Sequence, residues 1–266
     1  MSTITGTAVI TGASTGIGAV YADRLARRGH DLVLVARDAA KLEALAERLR
    51  GETGVAIEVL PADLTADADV AKVEHRLAAG DVGLLVNNAG MSLTGSVLEN
   101  GASEFTRIIA LNVTAPTRLA AAAAKAFVAK GSGTIVNIAS VLALAPEMFD
   151  GVYSGTKAFL LNLSQAMAAQ LADKGVHVQA VLPGATRTEI WEKAGTDVDS
   201  FPEGFVMEVN DLVDAALVGL DLGEAVTIPP LPDHAQFEAM QAARQTMAPN
   251  LSRSAVADRY RQVEGA

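Results

Sequence analysis

The 266-residue sequence has no cysteine, few aromatic residues (4%) and a deficit of basic side chains, which leaves a net charge of −10. The absence of cysteine excludes disulfides, thiol chemistry and cysteine-ligated metal sites. The negative charge argues against nucleic acid or an anionic membrane as a partner. Long hydrophobic runs are also missing, because the longest uncharged apolar run, 131–146, is interrupted by Gly, Ser and Asn. We therefore expect no membrane-spanning segment.

The remaining composition is that of a folded globular chain. Half of the residues are hydrophobic and 20% are charged, so the chain can bury a sizeable core, built mainly from Ala, Val, Leu and Ile. The first basic residue is Arg24, and a strand-like segment precedes it, so we expect no signal peptide and a cytoplasmic protein. The four histidines are far apart without ligand spacing, so no metal site is predicted.

Strand-like and helix-like segments alternate along the chain. Such alternation is typical of a doubly wound, mainly parallel sheet with helices on both faces. We see no linker and no internal repeat, which predicts a single α/β domain over 1–266 with a core over about 5–230. The seven predicted strands are 7–11, 31–36, 56–61, 83–86, 134–139, 177–182 and 225–228.

A glycine-rich turn follows the first strand and leads into a helix. Its spacing is Gly12-x3-Gly16-x-Gly18. Glycines let a backbone approach a pyrophosphate, and a helix start offers free N–H groups to it. The spacing differs from the commoner Gly-x-Gly-x-x-Gly, and a glycine turn without a ligand is the structural alternative.

Charged residues follow the second and third strands. Arg37 stands where a dinucleotide site faces the adenosine ribose, and a guanidinium there would bind a 2′-phosphate. This favours NADP(H), with NAD(H) still possible; Asp38 weakens the interpretation, although it also suits a helix N-cap. Asp63 could accept a hydrogen bond from adenine or cap a helix that begins near Thr65.

Polar residues at three further positions suggest function. The Asn-Asn-Ala-Gly sequence at 87–90 suits a turn that bonds its own backbone and, equally, a wall beside a nucleotide. A helix predicted over about 103–130 is interrupted near Asn112 and Pro116, and Asn112 is unfavourable there without a functional reason. Ser140 lies just past the fifth strand, at the sheet edge where ligands bind.

Tyr153 and Lys157 lie four residues apart and therefore on one face of a helix. A cation beside a phenol stabilises the phenolate and lowers its pKa, which would give a proton donor near neutrality. The spacing alone is weak, because such a pair is more often an ordinary helix surface.

In their order along the chain these motifs resemble the short-chain dehydrogenase/reductase family over about 5–230. The resemblance rests on Thr11, Gly12, Gly16, Gly18, Asp63, 87–90, Asn112, Ser140, Tyr153, Lys157, Pro183, Gly184 and Thr188. It implies a single-domain Rossmann-type fold and an oxidoreductase that moves hydride between nicotinamide and a small carbonyl or alcohol substrate. Tyr153 would be the general acid or base, Lys157 would lower its pKa and hold the ribose, and Ser140 would bind the substrate oxygen. Asn112 would hold a water that links Lys157 to solvent.

The resemblance also implies a cofactor site and an assembly. A homodimer or homotetramer would form through the helices that carry Asn112 and Tyr153. The cofactor residues would be Gly12, Ser14, Thr15, Gly16, Ile17, Gly18, Arg37, Asp63, Leu64, Asn88, Ala89, Gly90, Tyr153, Lys157, Pro183, Gly184, Thr186 and Thr188.

The C-terminal part departs from the family pattern. The segment at about 189–208 lacks periodicity, and we interpret it as a substrate-covering segment. Beyond the prolines at 229–232 we expect a helical extension over about 231–266. Five apolar residues suggest a substrate pocket: Leu142, Leu144, Met148, Phe149 and Trp191.

Two other functions remain open on the same fold. One is a catalytically idle nucleotide-binding or regulatory protein, since a fold alone does not establish activity. The complete set of Asn112, Ser140, Tyr153 and Lys157 counts against it. The other is epimerisation or dehydration, but relatives of that kind usually carry a larger C-terminal substrate domain.

Overall fold

A computed structural model of the chain describes residues 6–93, 95, 97–189 and 197–261. The chain divides into two compact units, Met1–Pro230 and Leu231–Ala266. The assignment of the whole chain to one domain stays a prediction. Within the described ranges, no helix has both the length and the apolar character that crossing a bilayer requires.

The first unit is built on a seven-stranded sheet in which every pairing is parallel, in the order β3-β2-β1-β4-β5-β6-β7. The predicted doubly wound sheet is therefore confirmed, and each strand bound lies within one residue of the expected one. The strands are β1 Thr7–Thr11, β2 Leu32–Ala36, β3 Ile57–Pro61, β4 Val82–Asn87, β5 Gly133–Ile138, β6 Val176–Val181 and β7 Val226–Thr227.

Helices connect the strands. In the first unit they are α1 Gly16–Arg27, α2 Ala39–Thr53, α3 Asp67–Leu77, α4 Ala102–Ile109, α5 Ala115–Lys130, α6 Gly151–Leu171 and α7 Val209–Asp221. The sequence interpretation did not include α7. Helix α3 begins at Asp67 and not near Thr65, because Asp63 closes a separate turn before it. The break predicted around Asn112 is a five-residue π-helical turn, Ala110–Thr114, between α4 and α5.

Apolar side chains cover both faces of the sheet. On β1, Ala8 and Ile10 join the core cluster that includes residues of α1, α2 and α7. Val9 points to the other face and packs with residues of α3 and α5. A strand buried on both faces must be largely apolar, which is why β2 and the centre of β1, Ala8 to Ile10, are hydrophobic runs.

The strand order reverses between β1 and β4, which places the loops that follow these strands side by side. Ligands of open α/β sheets bind at this point, outside the carboxyl ends of the strands. The next loop on that edge ends in Asp38, whose Oδ1 accepts the N–H of Lys41 at 3.0 Å. The expected N-cap of α2 is therefore confirmed.

The second unit contains one α-helix, α8 Ala235–Met247, among its described residues. Two short 3-10 turns follow it, Ala248–Asn250 and Asp258–Tyr260. The chain enters α8 through Asp233, whose Oδ1 accepts the N–H of Ala235 at 2.9 Å. The predicted helical extension is present, but its α-helix is shorter than the stretch expected from the sequence.

Candidate active site

The glycine-rich loop forms a tight cradle between β1 and α1. Gly12 has φ +66°, which favours glycine, and a Cβ on Gly18 would overlap the carbonyl oxygen of Gly12. The packing of the loop itself therefore requires glycine at both positions. Ser14 and Thr15 have no side-chain hydrogen-bond partner among the described residues. Their hydroxyls and the first N–H groups of α1 fit a pyrophosphate, while Ile17 packs against the core.

Asn88 and Thr11 bind the glycine loop to the loop after β4. The Asn88 amide donates to the carbonyl oxygens of Thr11 at 2.9 Å and of Gly12 at 3.2 Å. In return, the Thr11 hydroxyl accepts the N–H groups of Asn88 and Ala89, both at 3.0 Å. A turn at 87–90 that bonds its own backbone is not supported by these bonds, because the Asn88 amide reaches the backbone of the glycine loop. The side chain of Asn88 therefore shapes the cradle from behind. The wall beside a nucleotide stays a prediction.

Asn87 also turns its side chain inward. Its amide donates to the carbonyl oxygen of Pro116 at 3.2 Å and to Asn137 Oδ1 at 3.0 Å. Its role is to join β4 to β5 and to the start of α5.

Arg37 follows β2, and Asp63 follows β3. Arg37 is exposed and has no hydrogen bond or ion pair with any described residue. Asp63 Oδ1 accepts the N–H and the hydroxyl of Thr65, which keeps the pKa of Asp63 below its usual value. The positive charges of Arg37 and Arg107 lower this pKa further. The neighbouring Leu64 is buried in the core.

Ser140, Tyr153 and Lys157 come together where β5 ends and α6 begins. Asp150 caps α6 by accepting the N–H of Tyr153 at 2.7 Å, which fixes the first turn of the helix. Lys157 is buried, its Nζ donates to the carbonyl oxygen of Ile138 at 2.9 Å, and it lies 5.7 Å from the centroid of the Tyr153 ring. The Ser140 hydroxyl accepts the N–H of Leu142 at 3.2 Å and lies near enough to the phenol to lower its pKa. Phe149 packs its ring edge-on against Tyr153, with centroids 5.9 Å apart.

Burial controls the titration of this pair. It raises the pKa of Tyr153 to about 12, against a smaller opposing effect of the Ser140 hydroxyl. Burial also lowers the pKa of Lys157 to about 8. This differs from the sequence expectation that Lys157 lowers the phenol pKa. The physical reason is that the ammonium is directed at the Ile138 carbonyl, while Lys157 is buried and the half-buried phenol loses part of its contact with water.

Asn112 occupies the π-helical turn, and its whole amide is engaged. Oδ1 accepts the N–H of Met91 at 2.9 Å. Nδ2 donates to the carbonyl oxygen of Met91 at 2.8 Å and to the Thr156 hydroxyl at 3.1 Å. A methyl group on Gly90 would lie 3.3 Å from Asn112 Oδ1 and 3.5 Å from Lys157 Nζ, so both atoms border one small space. The structure thus brings Asn112 next to Lys157.

The loop after β6 completes the same edge. The N–H of Val141 donates to the carbonyl oxygen of Pro183 at 2.9 Å, which joins this loop to the Ser140 turn. Thr186 donates to the carbonyl oxygen of Gly184 at 3.0 Å. A Cβ on Gly16 would lie 3.3 Å from Thr188 Cγ2, so Thr188 lies against the glycine loop.

Apolar side chains border the Tyr153 cluster. Leu144 is 36%, Met148 59% and Phe149 38% exposed, which leaves a hydrophobic rim. Part of the predicted substrate-covering segment is anchored to the site loop, because the N–H of Met207 donates to the carbonyl oxygen of Ala185 at 2.9 Å. Phe201 and Phe205 stack within that segment. Trp191, the fifth predicted pocket residue, lies outside the described residues.

Several residues of the site were absent from the sequence interpretation. The clearest of these are Arg107 and Thr156. Met91 was also absent, as was the role of the Thr11 hydroxyl as acceptor of two N–H groups. Thr156 could have been suspected, since it is a hydroxyl residue inside the Tyr153–Lys157 segment. Arg107 could not, because its relation to Asp63 depends on how α4 packs beside the loop after β3.

Comparisons with known proteins agree with this geometry. The short chain dehydrogenase family model matches residues 6–199. A short-chain dehydrogenase from Sphingobium yanoikuyae, solved in complex with NADPH, is 56% identical with a TM-score of 0.94, covering 96% of this chain and 100% of that one. The bulky-bulky ketone specific alcohol dehydrogenase from Comamonas testosteroni is 49% identical with a TM-score of 0.89, covering 97% and 99%.

Among curated proteins, the human 17-beta-hydroxysteroid dehydrogenase type 3 is 35% identical over 193 residues, which is 72% of this chain. The match covers 62% of the human protein, so the chain spans less than two thirds of that relative's length.

Proposed function

The chain belongs to the short-chain dehydrogenase family, and on that premise we propose that it is an NADP(H)-dependent oxidoreductase that interconverts a carbonyl and an alcohol. The observation that carries the proposal is the cluster of Ser140, Tyr153 and Lys157 on the same sheet edge as the glycine loop. A proton donor, a second hydroxyl and a buried cation beside a phosphate cradle are what such a reaction requires of a protein.

Each of these residues would have a separate role in carbonyl reduction. Tyr153 donates its proton to the carbonyl oxygen as that oxygen gains charge, and it accepts a proton in alcohol oxidation. The Ser140 hydroxyl hydrogen-bonds the same oxygen and orients the substrate. When bound, the nicotinamide supplies the hydride. Lys157 would provide a positive charge 5.7 Å from the centre of the Tyr153 ring, where it would oppose the rise in pKa that burial causes.

The same edge would hold each part of NADPH. Gly12 to Gly18, with Ser14 and Thr15, would hold the pyrophosphate. Asp63 would accept from the adenine amino group through Oδ2, which has no partner among the described residues. Gly90 and Ala89 would border the adenosine, Lys157 the nicotinamide ribose, and Gly184, Thr186 and Thr188 the carboxamide.

The test is a screen of NADPH oxidation across aldehydes, ketones, steroids and quinones, with Tyr153→Phe as control. The expected result is turnover by the native protein, and loss of turnover with NADPH binding retained in the variant. Full activity of Tyr153→Phe contradicts the assignment. If the native protein binds NADPH but oxidises it with none of the carbonyl compounds, the catalytically idle nucleotide-binding protein replaces the proposed enzyme.

Arg37 supports a preference for NADP(H). It is exposed, follows β2 and has no partner among the described residues, so its guanidinium is free to bind a 2′-phosphate. Such a charge-assisted contact is worth about 1.5–3 kcal/mol, which is roughly a 10- to 150-fold preference over NADH. Arg37→Ala should remove that preference, so that the dissociation constants of NADPH and NADH become similar.

Arg107→Ala is the matched control for Arg37→Ala, since Arg107 is also exposed and its charge also acts on Asp63. It removes one positive charge, as Arg37→Ala does, and should leave the NADPH/NADH affinity ratio in place. Equal affinities for the two cofactors in the native protein would refute the preference.

The apolar rim supports a ketone with large hydrophobic groups as the substrate. Leu144, Met148 and Phe149 are exposed beside Tyr153, where they would contact substituents on either side of the carbonyl. We therefore expect a higher kcat/KM for diaryl ketones than for acetone. Met148→Ser should reduce the difference in kcat/KM between diaryl ketones and acetone. Equal kcat/KM values for these ketones in the native protein would contradict the proposal.

We also propose a homodimer or homotetramer that forms through α5 and α6. Gly155 is exposed on α6, and Phe159, one turn later, is 41% exposed. This face would therefore let a helix of a second subunit approach closely and would offer it apolar surface. Light scattering coupled to size exclusion measures the mass, and Phe159→Asp should reduce it. A cytoplasmic location stays a prediction from the sequence.

A further inference from the structure

Thr156 connects the two parts of the site that lie on different helices. It is 4% exposed, and its hydroxyl makes two hydrogen bonds. It donates to the carbonyl oxygen of Tyr153 at 2.7 Å and accepts from Asn112 Nδ2 at 3.1 Å. A hydroxyl has one proton to donate, so a Thr156 committed to the Tyr153 carbonyl can only accept from Asn112.

This restriction acts together with Met91 on the orientation of the Asn112 amide. The Met91 backbone requires Oδ1 at its N–H and Nδ2 at its carbonyl oxygen, and Thr156 requires Nδ2 as well, so all three bonds favour the same orientation. Oδ1 then borders the space beside Gly90 that Lys157 Nζ also borders. An amide oxygen near an ammonium is favourable, whereas the flipped amide would direct N–H groups at it.

We propose that Thr156 is a positioning residue, which holds the Asn112 amide oxygen toward Lys157 and couples the π-helical turn to the helix that carries Tyr153. The inference rests on the proposed function, because it concerns the same cluster. Without the Thr156 hydroxyl, Asn112 keeps its two bonds to Met91 but loses the bond that ties it to α6. The amide oxygen is then held less firmly beside the ammonium, and the phenolate of Tyr153 is stabilised less.

Ser164 on the same helix offers a close control. It is fully buried, donates to the carbonyl oxygen of Leu160 at 2.7 Å and accepts from Asn137 Nδ2 at 2.9 Å. It therefore repeats the bonding of Thr156 two turns further along α6, away from Lys157. Thr156→Val and Ser164→Ala remove equivalent hydroxyls and should lower the unfolding temperature by similar amounts.

The experiment compares these variants by two measurements. The first is the pH profile of kcat for alcohol oxidation. Thr156→Val should lower kcat about tenfold with KM little changed, and its rising limb should move about half to one pH unit to the alkaline side, as expected for one lost hydrogen bond. Ser164→Ala should leave the profile in place.

The second measurement is the exchange of the Asn112 side-chain amide with solvent, followed by NMR on the whole protein. Thr156→Val should accelerate it at least tenfold, while Thr156→Ser restores the native rate and Ser164→Ala leaves it unchanged. Native protection of Asn112 in Thr156→Val, or the same pH profile in Thr156→Val and Ser164→Ala, overturns the inference. If the native protein oxidises no alcohol, the proposed function fails, and amide exchange still decides the role of Thr156.

Discussion

Replacing Lys157 by methionine should make the folded protein more stable at neutral pH. Lys157 is 6% exposed, and burial lowers its pKa from 10.5 to about 8. Each pKa unit corresponds to about 1.4 kcal/mol, so the buried ammonium costs roughly 3 kcal/mol at pH 7. Methionine removes that cost but leaves the Ile138 carbonyl without its donor, a loss of about 1 kcal/mol. The net expectation is a gain of about 2 kcal/mol.

The pH dependence of the gain is the sharper part of this prediction. Between pH 8 and 10.5 the folded protein binds fewer protons at Lys157 than the unfolded chain does, so the stability of the native protein rises with pH in this window. Lys157→Met lacks that rise, and its advantage shrinks as pH increases. Tyr153 acts in the opposite sense above pH 10, because burial raises its pKa to about 12 and the folded state there holds a proton that the unfolded state has lost.

Urea denaturation of both proteins at a series of pH values from 6 to about 10 measures the difference directly. Lys130→Met is the control, because Lys130 also donates to a strand carbonyl, that of Val82, from an exposed position. It should change stability little at any pH. Parallel curves for Lys157→Met and the native protein, or a less stable variant at pH 7, would refute the assignment of a buried charge penalty.

Two further predictions concern the backbone of the site. Gly18→Ala would place a Cβ against the Gly12 carbonyl oxygen and should abolish NADPH binding in a fluorescence titration, whereas Gly51→Ala on α2, which meets nothing within 4 Å, should leave binding intact. Asp150→Ala removes the cap of α6 and should cost about 1 kcal/mol of unfolding free energy together with a fall in kcat. Asp38→Ala, which removes the equivalent cap of α2, should lower stability by a similar amount without the fall in kcat. Equal kcat values for Asp150→Ala and Asp38→Ala would show that the cap of α6 does not position Tyr153.

The positions of the strands and the order of the site loops could be predicted from the sequence, because both depend on local pattern. Short, mainly apolar segments that alternate with helical patterns identify the parallel strands, and the site loops follow from the rule that ligands bind at the carboxyl ends of these strands. The break at Asn112 could also be predicted, because asparagine disfavours a helix interior, and a π-helical turn is found there.

The partners of the polar side chains could not be predicted in the same way. Asn88 bonds to Gly12 and Asn112 to Met91 across long stretches of chain, and only the packing of loops on the finished sheet brings them together. The direction of the Tyr153 pKa shift failed for the same reason. Spacing places Lys157 one turn away, but burial and the position of the Ile138 carbonyl decide the electrostatics.

The reciprocal bonds between Thr11, Asn88 and Ala89 have a consequence for the timescale of motion. Because the loop after β4 is bonded to the end of the central strand β1, neither loop can open unless the centre of the sheet opens with it. Amide exchange of Asn88 and Ala89 should then be as slow as that of β1 itself, unlike ordinary surface loops. Any rearrangement that admits or releases a ligand must come from other parts of the edge, and the floor of the site stays fixed through every cycle of binding.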